Sequence, residues 1–406
     1  MAKVAIMGYG TVGSGVYDII KTNSDKLSRS ANGESVDIKY ILDIRDFDDH
    51  PEKELFTKEF NDILNDDEVS VVAEVMGGLH PAYEFTKSLL EAGKSVVTSN
   101  KELVATYGTE LLEIARGKNV NYFFEASVGG GIPIIRPLVS SITSDAVTEI
   151  TGILNGTTNY MLTKMSEDGL DYDAVIEDAQ ERGYAERNPA ADVEGHDARR
   201  KIAILSSLAF GKYVDYEDVY TEGITKITSA DFAYAKVLGS RIKLFGTSKK
   251  KDDGSISAMV CPVMITNEHP LFAVNDVMNA ILVRGESMGD LMFYGAGAGK
   301  LPTASAVVGD IIDCVKHKGT NVMVIWDDEK LTLADTSEEE RRFFVRVPAD
   351  VTEATVKELF GDVNVVKADG LDNEYGFVTG IMTEGKFAEA AAKVNVISRI
   401  RIDDTK

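Results

Sequence analysis

Cysteine is scarce in this chain of 406 residues: Cys261 and Cys314 are the two. Two thiols build no disulfide framework, and their separation matches no metal-ligand spacing. Histidine is nearly as thin. His50, His80, His196, His269 and His317 are scattered, which argues against a His-rich metal site. Basic charge is in the minority, 43 Lys and Arg against 66 Asp and Glu, for a formal net charge of −23. So acidic a surface repels nucleic-acid backbones and anionic lipid, which excludes nucleic acid and membrane as partners. No apolar run reaches the roughly 20 residues of a membrane span. A strand-like run begins at Val4 and leaves no room for a signal peptide. The expectation is a soluble, reduced, cytoplasmic protein. At 44% hydrophobic residues, the chain has material for two or three domains and several cores without covalent staples.

What is present starts at the first residues. Lys3-Val-Ala-Ile-Met7 is a short apolar run of the kind buried in parallel sheets. Gly8-Tyr9-Gly10-Thr11-Val12-Gly13 follows, and Val16, Ile19 and Ile20 then recur at helical spacing. A strand, a glycine turn and a helix are what a dinucleotide site needs. Gly8 permits the tight turn, Gly10 lets backbone approach the pyrophosphate, and Gly13 allows close helix packing. The helix N-terminus, at Thr11 and Val12, offers N–H groups to the phosphates. Further strands are expected at Asp37–Leu42, Val69–Val75, Ser95–Thr98 and Val120–Phe124, with helical patterns between them. That alternation predicts an α/β fold, a Rossmann-like doubly wound parallel sheet, with ligands at the carboxyl ends of the strands. Asp43 and Arg45 follow the second strand. A carboxylate there suits NAD and an arginine suits NADP, so both coenzymes stay open.

The middle of the chain carries candidate chemistry. Glu125-Ala-Ser-Val-Gly-Gly-Gly-Ile-Pro133 offers bare backbone carbonyls to a hard cation or a close ligand, or is a flexible domain-crossing loop. Asn155-Gly156-Thr157-Thr158 ends an apolar strand in residues that either bind a substrate carboxylate or cap a helix. Arg182 to Gly195 is polar and loop-like, and from about His196 a helix takes over, with Asp197 and Lys201 one turn apart on one face. The helix turns apolar at Ile202-Ala-Ile-Leu205, so Lys201 is expected near a partly buried helix end, where a desolvated amine exchanges protons near neutral pH. Glu186, Asp192 and Asp197 around it form an acidic cluster suited to a substrate ammonium group.

Taken together these stretches resemble the homoserine dehydrogenase family, which interconverts L-aspartate 4-semialdehyde and L-homoserine. The matching segments are the early glycine motif, Glu74-Val-Met-Gly-Gly78, Thr98-Ser-Asn-Lys101, Glu125-Ala-Ser-Val-Gly129, Gly156-Thr-Thr-Asn159, Gly183-Tyr-Ala-Glu186 with Asp192 through Lys201, and Gly297-Ala-Gly-Lys-Leu-Pro-Thr303. They stand in the family's order over about residues 1 to 315. The resemblance implies a proton-transferring Lys201 assisted by Lys101, and a substrate held by Tyr184, Glu186, Asp192, Asp197, Gly156 and Thr157. It implies NAD or NADP on Gly8, Gly10, Thr11, Val12, Gly13, Arg45, Lys101 and Gly299. Backbone oxygens of Glu125, Val128, Gly130 and Ile132 would hold a sodium ion. The implied domains are 1–140 for the dinucleotide, with 297–315 returning to it, and an α+β substrate and dimerisation domain over 141–296. The enzyme would be a homodimer or homotetramer in threonine, methionine and isoleucine biosynthesis. Asn188-Pro189 replaces the family's usual Asp-Pro, and Asp43 is an addition.

Residues 316–341 are polar and read as a linker. From 342 to 406 a strand, helix, strand, strand, helix, strand order predicts a ferredoxin-like sandwich resembling the ACT regulatory domain, in which threonine is a candidate effector. Pro348-Ala-Asp-Val351 stands where the usual ACT turn would be, so effector binding and simple dimerisation both stay open. Two other readings of the whole chain remain: another amino-acid oxidoreductase, or a non-catalytic amino-acid or nucleotide sensor. Lys101, Glu186, Asp197 and Lys201 together favour catalysis.

Overall fold

Strands with almost wholly buried side chains are what a sheet covered on both faces requires, and Ala2–Met7, Val69–Glu74 and Ser95–Thr98 meet that condition. In the computed structural model, which describes residues 1–404, they belong to a six-stranded parallel sheet. Its order is Phe56–Thr57, Val36–Leu42, Ala2–Met7, Val69–Glu74, Ser95–Thr98, Tyr122–Phe123. The order runs outward in both directions from the first strand, so the crevice for a dinucleotide opens beside Met7. The two-residue strand at Phe56 was not expected, because a pair of residues leaves no periodic signal.

The chain divides into two compact units. The first comprises Met1–Ala146, Ala203–Asp215 and Phe293–Leu331. Within it, helix Lys300–Lys316 packs along helix Thr11–Thr22 so closely that a Cβ on Gly15 would meet Ala304 Cβ at 2.9 Å. Residues 316–341 correct the linker expectation. Asp327–Lys330 is a strand paired with Lys212–Tyr213, Asn121 and Asn321 knit the segment to the end of the helix Lys101–Gly117 region, and Trp326 is 6% exposed against Gly108 and Phe124. One buried indole among acids and lysines is invisible in composition.

The second unit comprises Val147–Ile202, Tyr216–Met292 and the residues from Thr332 onward. Antiparallel strands Met278–Gly285, Val147–Ile153, Ser240–Lys250 and Ile256–Thr266 form its centre. The C-terminal residues give strand Glu340–Pro348, helix Glu353–Phe360, strands Val363–Val366 and Glu374–Thr379, helix Glu384–Ala391 and strand Ser398–Asp403. Their sheet does not stand alone. Ser398–Asp403 pairs in parallel with Ile256–Thr266, placing Arg401 beside Val263, and so continues the central sheet. Both cysteines are free and fully buried, Cys314 in the first unit and Cys261 in the second, and burial raises both thiols. No helix among the described residues is long and apolar enough to cross a membrane.

Candidate active site

The glycine turn has the shape its residues predict. Gly8 has φ +96°, and a Cβ on Gly13 would lie 1.9 Å from the Gly8 carbonyl oxygen. Gly10 caps helix Thr11–Thr22 without a side-chain bond, and nothing lies within 4 Å of its missing Cβ. Open space above uncapped helix N–H groups is the cradle a pyrophosphate fills. Asp43 accepts from the Tyr9 N–H at 2.7 Å, from the Arg45 N–H at 3.0 Å, and from the Arg45 guanidinium at 2.9 and 2.8 Å. The Arg45 bonds pull its carboxyl down to about 2. Arg45 also donates to the Tyr9 carbonyl at 2.9 Å, so the two residues clamp the turn between them.

Glu74 ends strand Val69–Glu74 and is fully buried, which raises its carboxyl. It accepts from the Met76 N–H at 2.9 Å and the Thr98 hydroxyl at 2.6 Å. Thr98 accepts from the Asn100 N–H, and Asn100 caps helix Lys101–Gly117 while donating to the Gly78 carbonyl at 2.6 Å. Lys101 is thereby fixed at the first position of its helix. The Glu125 carboxylate accepts three backbone N–H groups, those of Ile134, Ile135 and Arg136, at 2.6 to 2.8 Å. Between those anchors the chain turns through Gly129 (φ +73°) and Gly130 (φ +55°), where a Cβ on Gly130 would strike the Gly297 carbonyl oxygen at 2.4 Å. Gly299, two residues further on, opens helix Lys300–Lys316 at φ +121°.

Helix His196–Phe210 places Asp197 and Lys201, both residues of the second unit, on one face. The Lys201 amine, 8% exposed, donates to Asp197 at 2.7 Å and to the Leu154 carbonyl at 2.8 Å. Asn155 follows Leu154 and donates to Asp192 at 2.7 Å and Asp197 at 2.8 Å, while its carbonyl-type oxygen caps helix Gly156–Glu167. Thr157 donates to the Tyr184 carbonyl at 2.6 Å, and the Tyr184 ring meets Tyr160 edge-on. Asp192, Asp197 and Lys201 are thus brought together. Glu186 is exposed, unlike the buried Asp197 and Lys201.

The family profile "Homoserine dehydrogenase" matches residues 133–312, and "Homoserine dehydrogenase, NAD binding domain" matches residues 8–125. The homoserine dehydrogenase of Bacillus subtilis is 44% identical over 319 residues, 78% of this chain and 73% of its own length. The chain belongs to the homoserine dehydrogenase family. A solved homoserine dehydrogenase from Thiobacillus denitrificans superposes with a TM-score of 0.91 at 33% identity, covering 99% of this chain and 98% of that one. A hyperthermophilic archaeal homoserine dehydrogenase mutant in complex with NADPH covers 77% of this chain and 97% of its own, with a TM-score of 0.66 at 29% identity.

As a homoserine dehydrogenase the chain is an NAD(P)-dependent oxidoreductase that interconverts L-aspartate 4-semialdehyde and L-homoserine. Three residues that hold this geometry escaped the residue-by-residue reading. Asn155 reads as part of a turn that binds a substrate carboxylate or caps a helix, and nothing in the sequence pairs it with acids 37 and 42 residues away. Glu74 did leave a signal, a lone acid within the run Val69–Val75. Lys243 is hidden in strand Ser240–Lys250, fully buried, and donates to the Val274 carbonyl at 2.5 Å, to Asn159 at 3.0 Å and to Asn275 at 3.1 Å. It ties the helix that begins at Gly156 to the turn at 274–278.

Proposed function

We propose that Lys201 is the proton donor and acceptor of this homoserine dehydrogenase. The observation that carries it is a buried amine held by two acceptors, Asp197 and the Leu154 carbonyl, beside a pair of carboxylates bridged by Asn155. These acceptors fix where the amine points. The bound coenzyme, NAD or NADP, supplies or removes the hydride. As an aldehyde is reduced, charge builds on its oxygen, and a positioned ammonium stabilises that charge and hands over a proton, a contribution of about 10²–10⁴-fold. Asp192 and Asp197 hold the substrate ammonium group, and Gly156, Thr157, Tyr184 and Glu186 complete the amino-acid site. Gly8, Gly10, Thr11, Val12 and Gly13 seat the pyrophosphate, Arg45 serves the adenosine end, and Lys101 and Gly299 serve the nicotinamide end.

A sodium ion on the carbonyls of Glu125, Val128, Gly130 and Ile132 fits the donor set. The Glu125 carboxylate is engaged by backbone N–H groups, which leaves hard carbonyl oxygens for a monovalent cation. Replacing sodium by choline at constant ionic strength tests this through the melting temperature. Residues 342–406 are read as an ACT-type module, supported by their strand and helix order. The cleft lined by Ala349, Val351, Thr352, Glu353, Lys367 and Tyr375 is where threonine would bind; the alternative role is joining copies into a dimer or tetramer. Added threonine and the mass in solution separate the two. The buried thiols suit the reducing cytoplasm, and the product serves threonine, methionine and isoleucine biosynthesis.

The deciding experiment is Lys201→Ala. Turnover of homoserine should be abolished while coenzyme titration is unchanged, and Lys201→Arg should fail because guanidinium does not release its proton. Near-normal turnover by Lys201→Ala would overturn the assignment.

A further inference from the structure

Two arginines on strand Ser398–Asp403 grip a carboxylate far from them in sequence. Arg401, 1% exposed, donates to Glu222 at 2.7 Å and to Glu384 at 3.1 Å. Arg399 reaches the same two acids, Glu222 at 3.2 Å and Glu384 at 3.0 Å. Burial works to raise the Glu222 carboxyl, yet the two guanidinium groups outweigh it and hold the group below its usual range. A buried pair of this kind is costly to break, because the partner left behind keeps its charge without compensation.

What Glu222 carries is more telling than what holds it. Its own N–H donates to the Val260 carbonyl at 2.8 Å, and the Ile224 N–H donates to the Val193 carbonyl at 2.8 Å. Between them, a Cβ on Gly223 would sit 2.1 Å from the Val193 carbonyl oxygen and 2.5 Å from Glu194 Cα. Backbone therefore rests on backbone, with no side chain between to yield. From the other side, a Cβ on Gly195 would meet Thr221 and Val260 methyls at 3.1 Å. Residues 193–195 join the short helix that carries Asp192 to the helix that carries Asp197 and Lys201. The seat under the acid pair is the segment 221–224, and the arginine pair fixes that seat.

We propose that Glu222 is a positioning residue for substrate recognition, which through Gly223 sets the placement of Asp192 and Asp197 and is itself held by Arg399 and Arg401. This rests on the reading that Asp192 and Asp197 hold the substrate ammonium group. It makes the C-terminal strand part of the scaffold of the amino-acid site.

The test compares Glu222→Gln, Arg399→Gln, their double variant, Arg399→Lys and Asp192→Asn, each assayed for homoserine KM, kcat, coenzyme Kd by fluorescence and melting temperature. Glu222→Gln and Arg399→Gln should each raise homoserine KM about five- to tenfold, with kcat and coenzyme Kd little changed. The double variant should be no worse than the worse single, since both remove one interaction. Arg399→Lys, which keeps the charge, should recover most of the loss. Should Glu222→Gln not fold, Arg399→Gln, at a side chain 21% exposed, carries the same test. If Asp192→Asn raises KM while the Glu222 and Arg399 variants change melting temperature alone, the positioning role is wrong and the substrate site stands. If Asp192→Asn leaves KM unchanged, the substrate reading fails and this inference with it.

Discussion

The amide nitrogen of Asn155 donates to Asp192 at 2.7 Å and to Asp197 at 2.8 Å, so one neutral side chain spaces two carboxylates. Like charges so placed repel, and a cation between them relieves the repulsion. Asn155→Ala should therefore act twice. Loss of the cap on helix Gly156–Glu167 costs about 1 kcal/mol of stability, and loss of the bridge should raise homoserine KM about tenfold. Asn155→Asp keeps a capping oxygen but adds a third negative charge. Its melting temperature should fall below the parent at pH 7.5, and a melting temperature equal to the parent's would count against the bridge.

Gly10 and Gly13 should respond differently to alanine although they share one motif. The Gly13 Cβ would overlap the Gly8 carbonyl, whereas the Gly10 Cβ would enter empty space. Gly13→Ala is expected to lower the melting temperature and abolish coenzyme binding together. Gly10→Ala should fold normally and weaken coenzyme binding about tenfold or more, because its methyl occupies the pyrophosphate cradle. Coenzyme fluorescence titration beside a thermal melt distinguishes them; normal affinity in Gly10→Ala would place the pyrophosphate elsewhere.

Lys243 offers a pH test. Burial, followed by the charge of Arg241, holds its ammonium down to about 7, against the opposing pull of Glu167 and Asp276. In the unfolded chain a lysine keeps its proton to about 10.4. The folded state is therefore penalised most at and below neutrality, and the penalty fades as pH rises from about 7 toward 10. Lys243→Met carries no such group. The melting-temperature difference, parent minus variant, should grow more positive between pH 7 and pH 9.5. A flat difference would show that the three acceptors around the amine cancel its desolvation.

Much of this was legible because the signals are local. The glycine turn, the apolar strands and the Asp197–Lys201 spacing each lie within one or two elements, so periodicity and steric rules reach them. The two-residue strand at Phe56 and the strand at Asp327–Lys330 were not legible, being too short for a period and too polar to look buried. Asn155, Glu222 and Lys243 were missed for another reason. Each acts through partners between 31 and 179 residues away, and a pairing at that range leaves no trace in a single sequence. Glu186 differs from the other acids in exposure: its side chain lies at the surface, whereas Asp197 is buried.

The two sequestered thiols, Cys314 in one unit and Cys261 in the other, give the protein an internal reporter. While both units stay closed neither sulfur is available to an alkylating dye, so modification counts opening events and not surface chemistry. Pulse labelling followed by peptide mapping would then tell which half yields first under heat or denaturant, without engineering a single residue.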